Sequence, residues 1–209
     1  MAGFGTVIQT ILTDIDRGNE HSARVRLAIV DAIQFYRSTR LGFNQRRAIG
    51  TAESAVEYIT LPTDWIEVDR MRVLNDGHLE KLTEVTSEWL DDHAGRVDWF
   101  ACPHSFAIEG RQLRLYPIPD KNYELRIAYH YDLAGISLGA SDSASNAWTV
   151  EAEQLIRLHA KADVLENYIG GEEAMAKATR DMAQARMVLD ELKKRANREQ
   201  SGAGFRPWI

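Results

Sequence analysis

Near the start of the chain the apolar residues Phe4, Val7, Ile8, Ile11, Leu12 and Ile15 recur at spacings of three and four. That spacing lines them along one face of a helix. Gly18–Asn19 is expected to end it, the glycine through left-handed geometry and the asparagine as a cap for the next helix. A second helix is predicted from about Glu20 to Arg40. It buries Val25, Ile29, Ala32, Ile33 and Tyr36 and turns Arg24, Arg26, Asp31 and Arg37 outward, so the two helices form a hairpin.

From Gly42 the period drops towards two, and β-branched and aromatic residues take over. Val56, Tyr58 and Thr60 share one side of a strand that stops at Leu61–Pro62. Ile66, Val68, Met71 and Val73 come next, and the step from Val68 to Met71 breaks alternation, which predicts a bulge near Asp69–Arg70. Asn75–Asp76–Gly77 is a tight-turn signal, with Leu79 and Leu82 on the return segment. Thr86 to Asp92 reads as a short capped helix. Phe106 and Ile108, a turn at Glu109–Gly110, then Leu113 and Leu115 make a hairpin. Tyr123, Leu125, Ile127, Tyr129 and Tyr131 alternate without fault, which marks the clearest strand of the chain.

Helical period returns at Thr149, read as a cap, and runs through Leu155, Ile156, His159, Ala162, Leu165 and Ile169 until Gly170–Gly171 stops it. A last helix from about Glu172 to Asn197 carries Met175, Ala178, Met182, Ala185, Leu189 and Leu192 on one stripe. The opening and closing helices need each other's apolar faces while the β segment lies between them in sequence. The expected fold is therefore α+β: an antiparallel helical bundle formed by the N- and C-terminal helices, an inserted small antiparallel β lobe and an extended C-terminal arm. The expected divisions are 1–41 and 149–197 for the two helical hairpins, 42–134 for the β lobe, 135–148 for an exposed connection and 198–209 for the arm.

Composition changes this picture by exclusion. Hydrophobic residues are 44% and charged residues 27%, which places the chain with folding globular domains and away from disorder. No apolar run approaches the roughly 20 residues of a membrane span. The first residues lack the pattern of a secretion signal, so cytosolic synthesis is expected. Cys102 is the single cysteine, which excludes an internal disulfide framework. The net charge of −6 disfavours tight binding to nucleic-acid backbones.

Candidate chemistry is thin. Asp91, Asp92, His93, Asp98, Cys102 and His104 gather carboxylate, imidazole and thiol groups that could in principle hold a metal or run acid–base chemistry, but their spacing fits no motif. Gly170–Gly171–Glu172 opens a helix without the Lys-Ser/Thr of a phosphate loop. His159 reads as a hydrogen-bonded core histidine. No catalytic residue, cofactor or metal is expected, and the chain is not read as an enzyme. Arg24, Arg26, Arg37, Arg40, Arg46 and Arg47 make the early region basic, for an acidic neighbouring subunit or for a nucleic-acid backbone. Phe205, Arg206, Pro207, Trp208 and Ile209 come after the flexible Gly202 and Gly204 and are of the residue types that anchor protein interfaces.

Several strings, in their order, resemble the head-to-tail adaptors (connectors) of tailed bacteriophages. They are Ile59-Thr-Leu-Pro-Thr-Asp-Trp65, Arg114-Leu-Tyr-Pro-Ile-Pro119 followed by Tyr123-Glu-Leu-Arg-Ile-Ala-Tyr129, and Asn146-Ala-Trp-Thr149 leading into paired helices. The resemblance implies a virion protein of the head–tail neck in a ring of about twelve copies beneath the portal. Implied partners are the portal protein, neighbouring adaptor subunits and downstream tail or neck proteins, with no membrane. Phe205, Arg206, Pro207, Trp208 and Ile209 would lodge in or between portal subunits. DNA would pass through the channel without sequence-specific binding, eased by an acidic lumen. The alternative is a small nucleic-acid-binding or packaging-accessory protein that uses the early arginines.

Overall fold

The computed structural model describes residues 3–93 and 99–201, with side chains as far as Asn197. It divides into two compact units. One comprises residues 1–43 and 133–209 and is helical; the other, 44–132, is built of strands.

In the helical unit α1 (Phe4–Asp14) buries Phe4, Val7, Ile8, Ile11 and Leu12, the stripe that its spacing predicts. The chain does not reverse at Gly18, which is extended (φ −76°). The left-handed residue is Asp16 (φ +53°), whose short polar side chain tolerates that region better than most. The second helix is shorter than its apolar pattern suggests: a single 3-10 turn at Asn19–His21 precedes α2 (Ser22–Tyr36). Its buried residues are the expected five together with Ala28.

Asn146, and not Thr149, caps the return to helix. Its side chain accepts from the Thr149 backbone N–H at 3.2 Å, while the Thr149 hydroxyl faces the Asn146 N–H at 3.1 Å, a reciprocal capping box. Helix α4 (Ala147–Val150) lasts one turn before α5 (Glu153–Val164), and a π turn at Leu165–Ile169 ends at Gly170 and Gly171, with φ +66° and +87°. Helix α6 (Glu172–Ser201) completes the unit. Helix α5 packs on both α2 and α6, and the core runs from Phe4 and Ile8 through Ile29 and Ile33 to Trp148, Leu155, Ile156 and Ala185. Residues 140–144 serve the start of α1: Ala144 O and Asp142 O accept from the N–H groups of Phe4 and Gly5, which the first turn leaves unpaired. The buried stripe of α6 also contains Asp181, which meets Lys161 at 3.2 Å, and Lys161 in turn reaches Asp14 at 3.4 Å.

The β unit holds two four-stranded sheets among its described residues. The first has the order β1–β8–β3–β4, from β1 (Gln45–Ala52), β8 (Tyr123–Tyr131), β3 (Trp65–Asn75) and β4 (His78–Lys81). The second has the order β2–β7–β6–β5, from β2 (Tyr58–Thr60), β7 (Gln112–Tyr116), β6 (Ser105–Glu109) and β5 (Thr83–Glu84). Pairing between the strands is antiparallel, as expected of the lobe, except for the short β5 with β6. Val68, Met71, Val73, Tyr123, Leu125, Ile127 and Tyr129 of one sheet share a core with Phe106, Leu113 and Leu115 of the other. The bulge falls between Val68 and Arg70, and Asp76–Gly77 makes a two-residue turn with both residues left-handed (φ +47° and +84°). Helix α3 (Ser87–His93) is capped by Thr86, whose hydroxyl accepts from the Trp89 N–H at 3.1 Å.

Candidate docking surfaces

Of the possible catalytic group in the β unit, Asp91, His93 and His104 are engaged elsewhere. Asp91 accepts from Arg114 at 2.5 Å, in a cluster where Arg114 also meets Glu57 at 2.5 Å and Glu109 at 3.6 Å. His93 stacks on Trp89 with ring centroids 3.8 Å apart, and its Nδ1 lies 2.8 Å from Trp89 O. His104 Nδ1 is 2.9 Å from the Ser105 hydroxyl. Burial pushes the half-buried Cys102 thiol up and away from the reactive thiolate, aided by the nearby Glu80 carboxylate. Asp98 lies outside the described residues. Among the described residues no group of three or more His, Cys, Asp or Glu side chains is placed to hold a metal ion.

The same region builds an aromatic surface instead. Tyr116 takes the edges of Trp89, Trp99 and His104 at centroid distances of 6.1, 5.5 and 5.8 Å and donates from its hydroxyl to His93 O at 2.9 Å. Trp99 and Phe100 beside it are nearly half exposed. Ile49 stands 71% exposed on β1, the edge strand of its sheet. Isolated exposed apolar residues are ordinary, but an aromatic pair on a rigid cluster is what a partner surface uses.

The early arginines are divided between the two units. Arg24, Arg26, Arg37 and Arg40 belong to the helical unit, Arg46 and Arg47 to the β unit. Arg26 pairs with Asp142 and donates to Ala140 O at 3.2 Å. Arg24 lies over the Tyr168 ring at 4.8 Å. Arg46 bonds Asp64 at 2.6 Å and covers the Tyr131 ring at 4.0 Å. These contacts hold the guanidinium groups to their own unit.

In the helical unit the apolar stripe of α6 passes through Ala174, Ala178 and Ala185, so Met175 stands 44% exposed where the spacing places it inside. The small alanines let α6 pack closely and push the longer methionines to its flank. There Met175, Ala178, Thr179, Met182 and Ala183 line an open cleft of about 380 Å³, with Glu166 and Arg186 as its two charged lining residues. The alternation of alanine and methionine on α6 is the signal that could have located it. Phe205, Arg206, Pro207, Trp208 and Ile209 lie outside the described residues.

His159 sits as a core histidine does: half-buried, with Nδ1 3.0 Å from the Tyr36 hydroxyl and its ring edge-on to that of Tyr36. Burial pushes its pKa down, with Asp163 opposing only in part. The unfolded chain therefore takes up this proton first as pH falls, and stability is lost as pH drops below about 6.5, the ordinary histidine value. Thermal unfolding of the wild type is expected to show a lower midpoint at pH 5.5 than at pH 7.5, and the H159Q variant a smaller drop, which calorimetry in matched buffers measures.

A family model described as SU10 adaptor protein matches residues 3–207, nearly the whole chain. No curated protein matches it.

Proposed function

We propose that this chain, which belongs to the SU10 adaptor protein family of phage head-to-tail adaptors, docks as a ring on the portal, extends its DNA channel and gives tail components their attachment surface. The observation that carries this reading is a family match that takes in both the helical unit and the inserted β unit. Such a protein belongs to the virion neck and to no enzyme class. No helix among the described residues is long and apolar enough to cross a membrane.

The division into two compact units suits the task. A helical body with its own core can pack laterally in a ring, while a sandwich with its own core presents the exposed Trp99 and Phe100 to a further component. The net charge of −6 per subunit supports a channel past which DNA slides instead of sticking. The segment 202–209, with Phe205, Arg206, Pro207, Trp208 and Ile209, anchors the subunit to another chain of the neck.

Addition of the chain to the isolated portal ring of the same phage tests the reading. An adaptor binds the ring and leaves duplex DNA alone. A packaging-accessory protein does the reverse, retarding duplex DNA at low salt and releasing it as salt rises.

A further inference from the structure

The cleft lies along α6, and the apolar segment 202–209 follows the end of that helix in sequence. Helix α6 runs to Ser201, so at the helical rise Ser201 stands about 39 Å along the axis from Met175 and about 33 Å from Thr179. Fully extended chain carries Phe205 roughly 14 Å and Trp208 roughly 25 Å from Ser201. Reversing direction takes at least two residues, about 7 Å of that reach. A chain's own Trp208 therefore stops well short of Thr179 and Met175, and its own Phe205 stops shorter still.

We infer that the cleft lined by Met175, Ala178, Thr179 and Met182 receives Phe205 and Trp208 from a second copy of this chain. The volume, about 380 Å³, has room for aromatic side chains, and methionine thioethers pack favourably on aromatic rings. Of the two charged residues that line the cleft, Glu166 gives Arg206, set between the two aromatic anchors, an opposite charge, while Arg186 repels it. Every copy carries one cleft and one segment. Such a contact is heterologous, and repeated from copy to copy it closes into a ring or runs on as a chain. The inference rests on the adaptor reading only in that it supplies neighbouring copies side by side.

The test places one cysteine in the cleft and one on the segment of the full-length chain, T179C with I209C, in a C102S background. Mild oxidation is carried out on the free chain and on the chain bound to its portal ring. The expected result is a ladder of two, three or more disulfide-linked chains on a non-reducing gel. Adding W208A or E166R should remove the ladder, and adding R206E to E166R should restore it. A faster-migrating monomer with an internal disulfide overturns the inference, because the segment then lies on its own helix. So does the absence of adaptor–adaptor links while the chain remains bound to the portal, an outcome that leaves the adaptor reading standing. A ladder from a chain that never binds the portal supports the contact and removes the adaptor reading.

Discussion

Replacing Trp148 by alanine is expected to destabilise the helical unit by about 3–5 kcal/mol, the usual range for emptying a large aromatic site in a core. Trp148 is fully buried, its indole N–H donates to Leu133 O at 3.3 Å, and its ring meets that of Phe43 edge-on at 5.0 Å. The indole thus ties Phe43 and Leu133 to the core of their own unit. Alanine leaves a cavity and a carbonyl without its donor in α4, a single turn closed by the Asn146–Thr149 box. Trp148→Phe keeps most of the packing and loses only the hydrogen bond, so it should cost less than half as much. Urea unfolding followed by far-UV circular dichroism measures both, and an alanine variant within about 1 kcal/mol of wild type would mean that the site collapses without penalty.

The second large effect belongs to the β unit. His130 is almost wholly buried on β8, with Nε2 3.0 Å from Asp69 Oδ2 and Nδ1 2.9 Å from Asn44 Oδ1. Asp69 occupies the bulge of β3, which turns its carboxylate inward, and Gln45 Nε2 donates to the same oxygen at 2.8 Å. Removing one member of this buried pair leaves the polar atom of the other without that partner, so His130→Ala is expected to destabilise the β unit by about 1–3 kcal/mol. Replacing both, Asp69→Leu with His130→Leu, should recover part of that loss, because neither leucine needs a polar partner, while Asn44 and Gln45 still lose the bonds they make to the pair. The double-mutant cycle in urea decides this: additive losses would show that the two residues do not act as a pair.

The central elements were legible in the sequence wherever burial is one-sided and regular. Tyr123 to Tyr131 alternates because alternate residues fill the sandwich core, and the broken alternation at Val68–Met71 marked the bulge that aims Asp69. Strand β1 left no such mark. Gln45 to Ala52 lies at a sheet edge with only Ala52 fully buried, so it carries no apolar period to read.

Capping and stripe details fell to competition between equally suitable residues. Thr149 and Asn146 are both good caps, and the reciprocal pair formed when Asn146 took the outer position. On α6 methionine and alanine are both apolar, and close packing selected the smaller, which opened the cleft beside Met175. The buried ion pair was beyond pattern reading altogether, because His130 and Asp69 meet only through strand register and a bulge.

Native mass spectrometry of the portal ring from the same phage, mixed with the intact chain at micromolar concentration, tests the adaptor reading most directly. The expected result is a ring that gains about twelve copies of the chain, one per portal subunit of a twelve-fold ring. A portal ring of unchanged mass in the presence of folded, intact chain would contradict it.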